Sequence, residues 1–199
     1  RVRDVPLHSE EFLEPIIAKD FLGIQPGECV INMNFRTDRA RQWVEMLLQR
    51  VDCDFYSTVA LDHNLQYQVL CPQITIAHTL TSFCEVHRKT QLRLTESEKQ
   101  PHVSYFFDGM TNLFQKSYEL QIVPSHKVDS WDKAPLMQAE AIAQKAAYAL
   151  QKKCYDFLLV NLTNADLVGH SGNFQATVQA VEAVDNALRT ILESLDDEP

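Results

Sequence analysis

A chain of 199 residues with 45% hydrophobic and 23% charged side chains has ordinary globular composition, enough for one large domain or two small ones. Its formal net charge of −9 argues against a nucleic-acid binder that works by neutralising phosphates, yet leaves room for an anionic small molecule held in a local basic pocket. No apolar run reaches membrane-spanning length, and the opening RVRDVPLHSEE lacks the apolar core of a signal peptide.

In chain order, SEEFLEPIIAKDFL (9–22) reads as a helix capped by Ser9, with acids in its first turn. The turn signal QPGE precedes ECVINMN, a short β-branched strand, and RARQWVEMLLQRV follows as a helix carrying Trp43, Val44, Met46, Leu47 and Leu48. FYSTVAL and QYQVLC read as two further strands, and CPQITIAHTL as a joint headed by Pro72. TLTSFCEVHRK is then a helix, TQLRLTESEKQ a strand running into a loop, and HVSYFF and YELQIVP strands. MQAEAIAQKAAYALQKKC is an alanine-rich helix, YDFLLVNL a buried parallel-type strand, and FQATVQAVEAVDNALRTILESL a long amphipathic helix. Alternation of strands and helices throughout predicts an α/β class. The five cysteines form no CxxC pair; Cys29, Cys71 and Cys154 sit in or beside apolar runs and read as small buried side chains, consistent with a reducing compartment.

Three segments could carry chemistry. In LLVNLTNADLVGHSGN a buried strand ends near Asn161 and a polar loop follows, the position where open α/β sheets bind ligands. Asp166 and His170, four apart, pair a carboxylate with an imidazole, which suits Mn²⁺ or Zn²⁺; the alternative is that Asp166 caps a turn and His170 begins a helix. LRLTESEKQPHV gathers Arg93, Glu96, Glu98, Lys99 and His102, either as a solvated mixed-charge loop or as a segment that fixes Lys99 at a sheet end. NFRTDRARQ places Arg36 and Arg39 where a strand passes into a helix, so backbone N–H groups and two forked donors could meet a phosphate or carboxylate; the alternative is a pair of arginines bridging Asp38 or other acids.

Taken in order, NFRTDRARQ, QLRLTESEKQPHVSYFFDG and NADLVGHSGNFQATVQAVEAVD resemble the runs of cofactor-independent phosphoglycerate mutases of the alkaline-phosphatase-like superfamily, and VPSHKVDSWD is similar to a further stretch of that family. The family's runs read NFR-x-DR-x-RQ, then QLR-x-AETEK-x-x-HV-x-FFF-N-G, then N-x-AN-x-DMVGH-T/S-G before a helix with AVE-x-x-D. The resemblance covers almost the whole chain.

It implies parts of two α/β domains joined by a hinge. Residues 1–72 are the last part of a substrate-binding, transferase-type domain, 73–79 the hinge, and 80–199 part of a metal-binding phosphatase-type domain. It also implies interconversion of 3- and 2-phosphoglycerate through a phosphoserine intermediate at a two-metal site, with no 2,3-bisphosphoglycerate required. Mn²⁺ is the first expectation for the metals, with Mg²⁺, Co²⁺ or Zn²⁺ as alternatives. Arg36 and Arg39 would hold the substrate, Lys99 would stabilise the phosphoryl group in transit, and Asp166 and His170 would ligate one metal. A cytoplasmic monomeric enzyme with phosphoglycerate as its partner, and neither nucleic acid nor membrane, completes that expectation.

The chain departs from the family at Thr95 and Thr163 (alanine), Ser97 (threonine), Asp108 (asparagine), Met110 (glycine), Leu162 (tyrosine) and Leu167 (methionine), and KAPLMQA loses a glutamate. The nucleophilic serine, further metal ligands and other substrate-binding residues belong to segments that the family carries outside this stretch, so the chain is expected to be an internal piece, inactive alone. Other readings of the same fold are a metal-dependent phosphatase or phosphopentomutase-like enzyme, and a non-catalytic module with an incomplete metal site.

Overall fold

A computed structural model describes residues 15–195, apart from 62, 63, 73, 75 and 115 and the side chains of Asp38 and Arg39. The described residues form two compact units, one over 15–74 and the other over 76–195.

The first unit is a three-stranded parallel sheet in the order β1 (Cys29–Asn32), β2 (Asp54–Ser57), β3 (Gln68–Val69), with α1 (Thr37–Arg50) between the first two strands. Gly27, at φ 81, occupies the third position of the QPGE turn, closed by Glu28 N–H donating to Gln25 O at 3.1 Å; a β-carbon there would be strained. Ala40 and Val44 on α1 and Phe55 on β2 are buried, and Phe55 meets Trp43 and Tyr67 edge-on. At the carboxyl ends of the strands, buried Asn32 donates to Ser57 Oγ at 3.2 Å.

The second unit has a parallel sheet in the order β5 (Glu119–Val123), β4 (Gln91–Glu96), β6 (Phe157–Val160). All six residues of β4 are buried, as a central parallel strand covered on both faces requires. Leu92 and Leu94 face Ile142, Ala146 and Ala149 of α4 (Ala139–Lys152). Ala139 and Ala143 pack on Ala187 of α6 (Phe174–Leu192), where the small side chains let the helices approach closely.

The opposite face of β4 is polar but equally buried. Arg93 is fully enclosed: Nη1 donates to Val103 O at 2.8 Å and to Asp108 Oδ1 at 2.9 Å, and Nη2 donates to Thr81 Oγ1 at 2.6 Å. Its guanidinium also lies over Tyr118 at 3.5 Å and Phe107 at 4.9 Å. These contacts draw α2 (Leu80–Val86) and the short α3 (Gln100–Val103) onto the sheet. At the amino ends of β4 and β6, Asp156 accepts from Lys89 Nζ at 2.9 Å, Thr90 N at 2.8 Å and Thr90 Oγ1 at 2.9 Å.

Several sequence expectations need correction. HVSYFF is not a strand: Val103 ends α3 and turns follow to Gly109, a path on which Val103 O and Asp108 Oδ1 both accept from the buried Arg93 guanidinium. The described part of the expected first helix, 15–22, is irregular with a turn at 19–20; residues 9–14 lie outside the described residues. Cys29, Cys71 and Cys154 are exposed at strand and helix ends, whereas Cys84 is the buried cysteine. All five cysteines carry free thiols.

Candidate functional site

The backbone ladder between β4 and β6 closes with Asn161 N–H donating to Leu94 O at 2.9 Å. Beyond it the two chains separate, and side chains continue the connection. Thr95 Oγ1 donates to Asn161 Oδ1 at 3.4 Å, and Thr163 Oγ1 donates to Glu96 Oε1 at 3.3 Å. Next, Lys99 Nζ forms an ion pair with Asp166 Oδ2.

Local structure explains these positions. After Glu96 the chain turns through a tight 3₁₀ segment, Ser97–Lys99, which aims Lys99 back across the sheet end. Asp166 and His170 do not sit on an irregular loop. NADLVG forms α5 (Asn164–Gly169), with Thr163 as its N-cap and His170 as its C-cap, so the i, i+4 pair lies on one helical face. The Thr163 hydroxyl makes no cap bond because it points at Glu96. Asn164, fully buried, donates to Pro135 O and Leu136 O at 3.1 and 2.8 Å and fastens the start of α5.

Lys99 is mostly covered, at 14% side-chain exposure, while Asp166 is 52% exposed. The Lys99 hydrogen bond holds the Asp166 carboxyl below the usual carboxylate range; partial burial opposes this, and the Lys99, His170 and His102 charges add to it. The other oxygen, Oδ1, lies 3.6 Å from His170 Nε2. A carboxylate oxygen and an imidazole nitrogen converging from one helix fit Mn²⁺, Co²⁺ or Zn²⁺ as part of a coordination shell. Among the described residues, no three His, Cys, Asp or Glu side chains converge, so the fit is that of a partial site.

Glu96 and Arg93 are fully buried, which excludes the solvated-loop alternative for this part of LRLTESEK. Glu96 Oε1 also accepts from Gln138 N at 3.0 Å, placing a carboxyl at the amino end of α4, where the helix dipole favours it. The charge pattern concealed this, because buried and exposed acids look alike in a mixed-charge run. The available signal was the apolar alternation through Leu92 and Leu94, which carries Glu96 to a sheet end.

Arg36 is the N-cap of α1, exposed, with its own N–H donating to Asn34 Oδ1 at 2.9 Å. Arg39 follows in the first turn of the same helix. Both arginines therefore belong to the amino end of a 14-residue helix that follows a parallel strand. They lie in the first unit, and Lys99, Asp166 and His170 in the second.

A family model described as the metalloenzyme superfamily matches residues 21–199. A 2,3-bisphosphoglycerate-independent phosphoglycerate mutase of Legionella pneumophila (strain Paris) is 34% identical over 199 residues, covering 94% of this chain and 38% of the relative. One from Helicobacter pylori (strain ATCC 700392 / 26695) is 36% identical over 194 residues, covering 92% and 39%. Among solved structures, Leishmania mexicana phosphoglycerate mutase at low cobalt concentration aligns with TM-score 0.70 and 27% identity, over 86% of this chain and 34% of that one. The chain thus spans about two fifths of the length of the curated relatives it matches.

Proposed function

The chain belongs to the metalloenzyme superfamily, and from that premise we propose that the protein containing it is a phosphoglycerate mutase, an isomerase that interconverts 3- and 2-phosphoglycerate. The observation that carries this reading is the meeting of Lys99, Asp166 and His170 at the carboxyl end of a parallel sheet. The shared name of the relatives supports this choice of reaction.

In this reading Arg36 and Arg39 grip the substrate phosphate or carboxylate, helped by the N–H groups and dipole at the start of α1. Lys99 donates to the phosphoryl oxygens as charge develops between a serine, supplied from outside this stretch, and the glycerate hydroxyls. Its pairing with Asp166 orients the ammonium in advance and leaves Asp166 Oδ1 and His170 Nε2 as the donors toward a divalent ion. When bound, two such ions, Mn²⁺ first among the alternatives, supply Lewis-acid stabilisation and a more acidic serine hydroxyl. Residues 1–72 would belong to the substrate domain, 73–79 to a hinge and 80–199 to the phosphatase-type domain. A monomeric cytoplasmic enzyme needing no 2,3-bisphosphoglycerate, with neither nucleic acid nor membrane as partner, completes the proposal.

The test is turnover by the whole protein. With Mn²⁺ and no 2,3-bisphosphoglycerate, it is expected to convert 3-phosphoglycerate to 2-phosphoglycerate and to leave a generic phosphate monoester largely intact. Hydrolysis of the monoester without isomerisation would assign a phosphatase instead.

A further inference from the structure

We propose that Thr163 is a positioning residue: through buried Glu96 it fixes the spacing of the two chain segments that carry Lys99 and Asp166. Glu96 lies three residues before Lys99, and Thr163 lies three residues before Asp166. The bond from Thr163 Oγ1 to Glu96 Oε1, at 3.3 Å, therefore joins the bases of the two arms whose tips form the Lys99–Asp166 pair. The backbone ladder has already ended at Leu94 and Asn161, so this side-chain bond is the next connection but one, after the 3.4 Å contact of Thr95 and Asn161.

Both partners are built for a fixed position. Thr163 is 2% exposed and Glu96 fully buried, so water cannot replace the bond. Glu96 is held independently from a third element, by Gln138 N–H at 3.0 Å, and Thr163 Oγ1 also lies 3.6 Å from Met137 Sδ. A carboxyl anchored on the amino end of α4 thus sets where α5 begins. Without the hydroxyl, α5 keeps its Asn164 anchors to Pro135 and Leu136 but loses its tie to β4.

The experiment compares Thr163→Val, which keeps the shape and removes the hydroxyl, with Thr163→Ser, which keeps the hydroxyl, in the whole protein. Thr163→Ala serves as the second hydroxyl-free variant if valine disturbs folding. Amide exchange over 97–99 and 164–168 is expected to quicken on the order of fivefold without the hydroxyl, the effect of one net hydrogen bond, and to return with serine. Unchanged exchange in both hydroxyl-free variants overturns the proposal.

The catalytic consequence rests on the mutase reading. There, kcat on 3-phosphoglycerate is expected to fall about tenfold to a hundredfold with KM little changed, as misplacement of a catalytic group does. The loss should be smaller in a Lys99→Ala background, because part of the effect of Thr163 runs through that lysine and the remainder through Asp166. Equal losses with and without Lys99 would overturn the positioning of Lys99. Faster exchange in a protein whose wild type does not turn over phosphoglycerate would support the brace and overturn the mutase reading alone.

Discussion

Lys99 and Asp166 form an ion pair across the carboxyl end of the second sheet, and the remaining Asp166 oxygen faces His170 Nε2 at 3.6 Å. One carboxylate therefore serves a cation on one side and a metal-type donor on the other. This arrangement leads to the first prediction. Lys99→Ala should lower kcat and kcat/KM together by on the order of a hundredfold or more, the loss of a donor used in the transition state. The melting temperature should barely move, because Asp166 is 52% exposed and water takes over its solvation. Near-wild-type turnover would remove Lys99 from the chemistry, and a large fall in melting temperature would make it structural.

Asp166 and His170 supply two donors, so metal affinity depends on ligands from elsewhere in the protein. Calorimetric titration of this chain alone with Mn²⁺ should show weak binding, and Asp166→Asn should abolish it. A submicromolar one-to-one site would show that the two donors, with water, suffice.

Arg36→Ala and Arg39→Ala should each weaken substrate capture in the whole protein, by about 2 to 5 kcal/mol if the partner charge is desolvated. Lysine should restore only part, since it lacks the planar fork. Steady-state kinetics beside a circular-dichroism check of folding decide this. Unchanged KM and kcat/KM in both alanine variants would make the arginines purely structural.

The buried Arg93–Asp108 pair predicts a stability effect away from the chemistry. Asp108→Ala leaves a fully buried guanidinium without its 2.9 Å counter-charge and should cost about 3 to 5 kcal/mol in urea unfolding. Asp108→Asn should cost less, because an amide oxygen can still accept from Arg93 and Thr81. Replacing both partners, as Arg93→Met with Asp108→Leu, should recover much of the loss. A double variant no more stable than Asp108→Ala would show that the other contacts of Arg93, to Val103 O, Thr81, Tyr118 and Phe107, and not the ion pair, dominate.

Asp156 predicts a pH dependence. Its carboxyl is pushed down to about 2 from the ordinary 3.8, chiefly by the Lys89 hydrogen bond and then by Thr90. A depressed carboxyl pKa means that the folded form binds the proton less readily than the unfolded one. Its stabilisation is complete above the ordinary value and is lost as pH falls from about 4 towards 2. Asp156→Asn should therefore lower the melting temperature at neutral pH and converge with the wild type near pH 2. An equal difference at both ends of that window would show that the carboxylate charge is not what holds β4 to β6 there.

The motifs were legible because they depend on short spacings: Arg36 and Arg39 at a strand-to-helix junction, and Asp166 and His170 four apart. The helical setting of the second pair was not. Gly169 and the polar run after Asn161 read as a loop, whereas Asn164, buried against Pro135 and Leu136, starts a helix by a contact some 28 residues distant. Met110 shows the same limit, since nothing in its side chain announces the positive φ of 62 that it adopts in the fold.

Sequence alone determined the α/β class, most of the strands and the long helices, and the order and residue types of the candidate segments, because periodicity, turn residues and motif spacing are local properties. The tertiary structure decided which charged residues lie inside. Arg93, Glu96 and Asp108 are buried because β4 occupies the centre of its sheet and both its faces must be covered. It also decided that Lys99 meets Asp166. That contact joins residues far apart in the chain and exists only because parallel pairing of β4 with β6 brings the two carboxyl ends to the same end of the sheet.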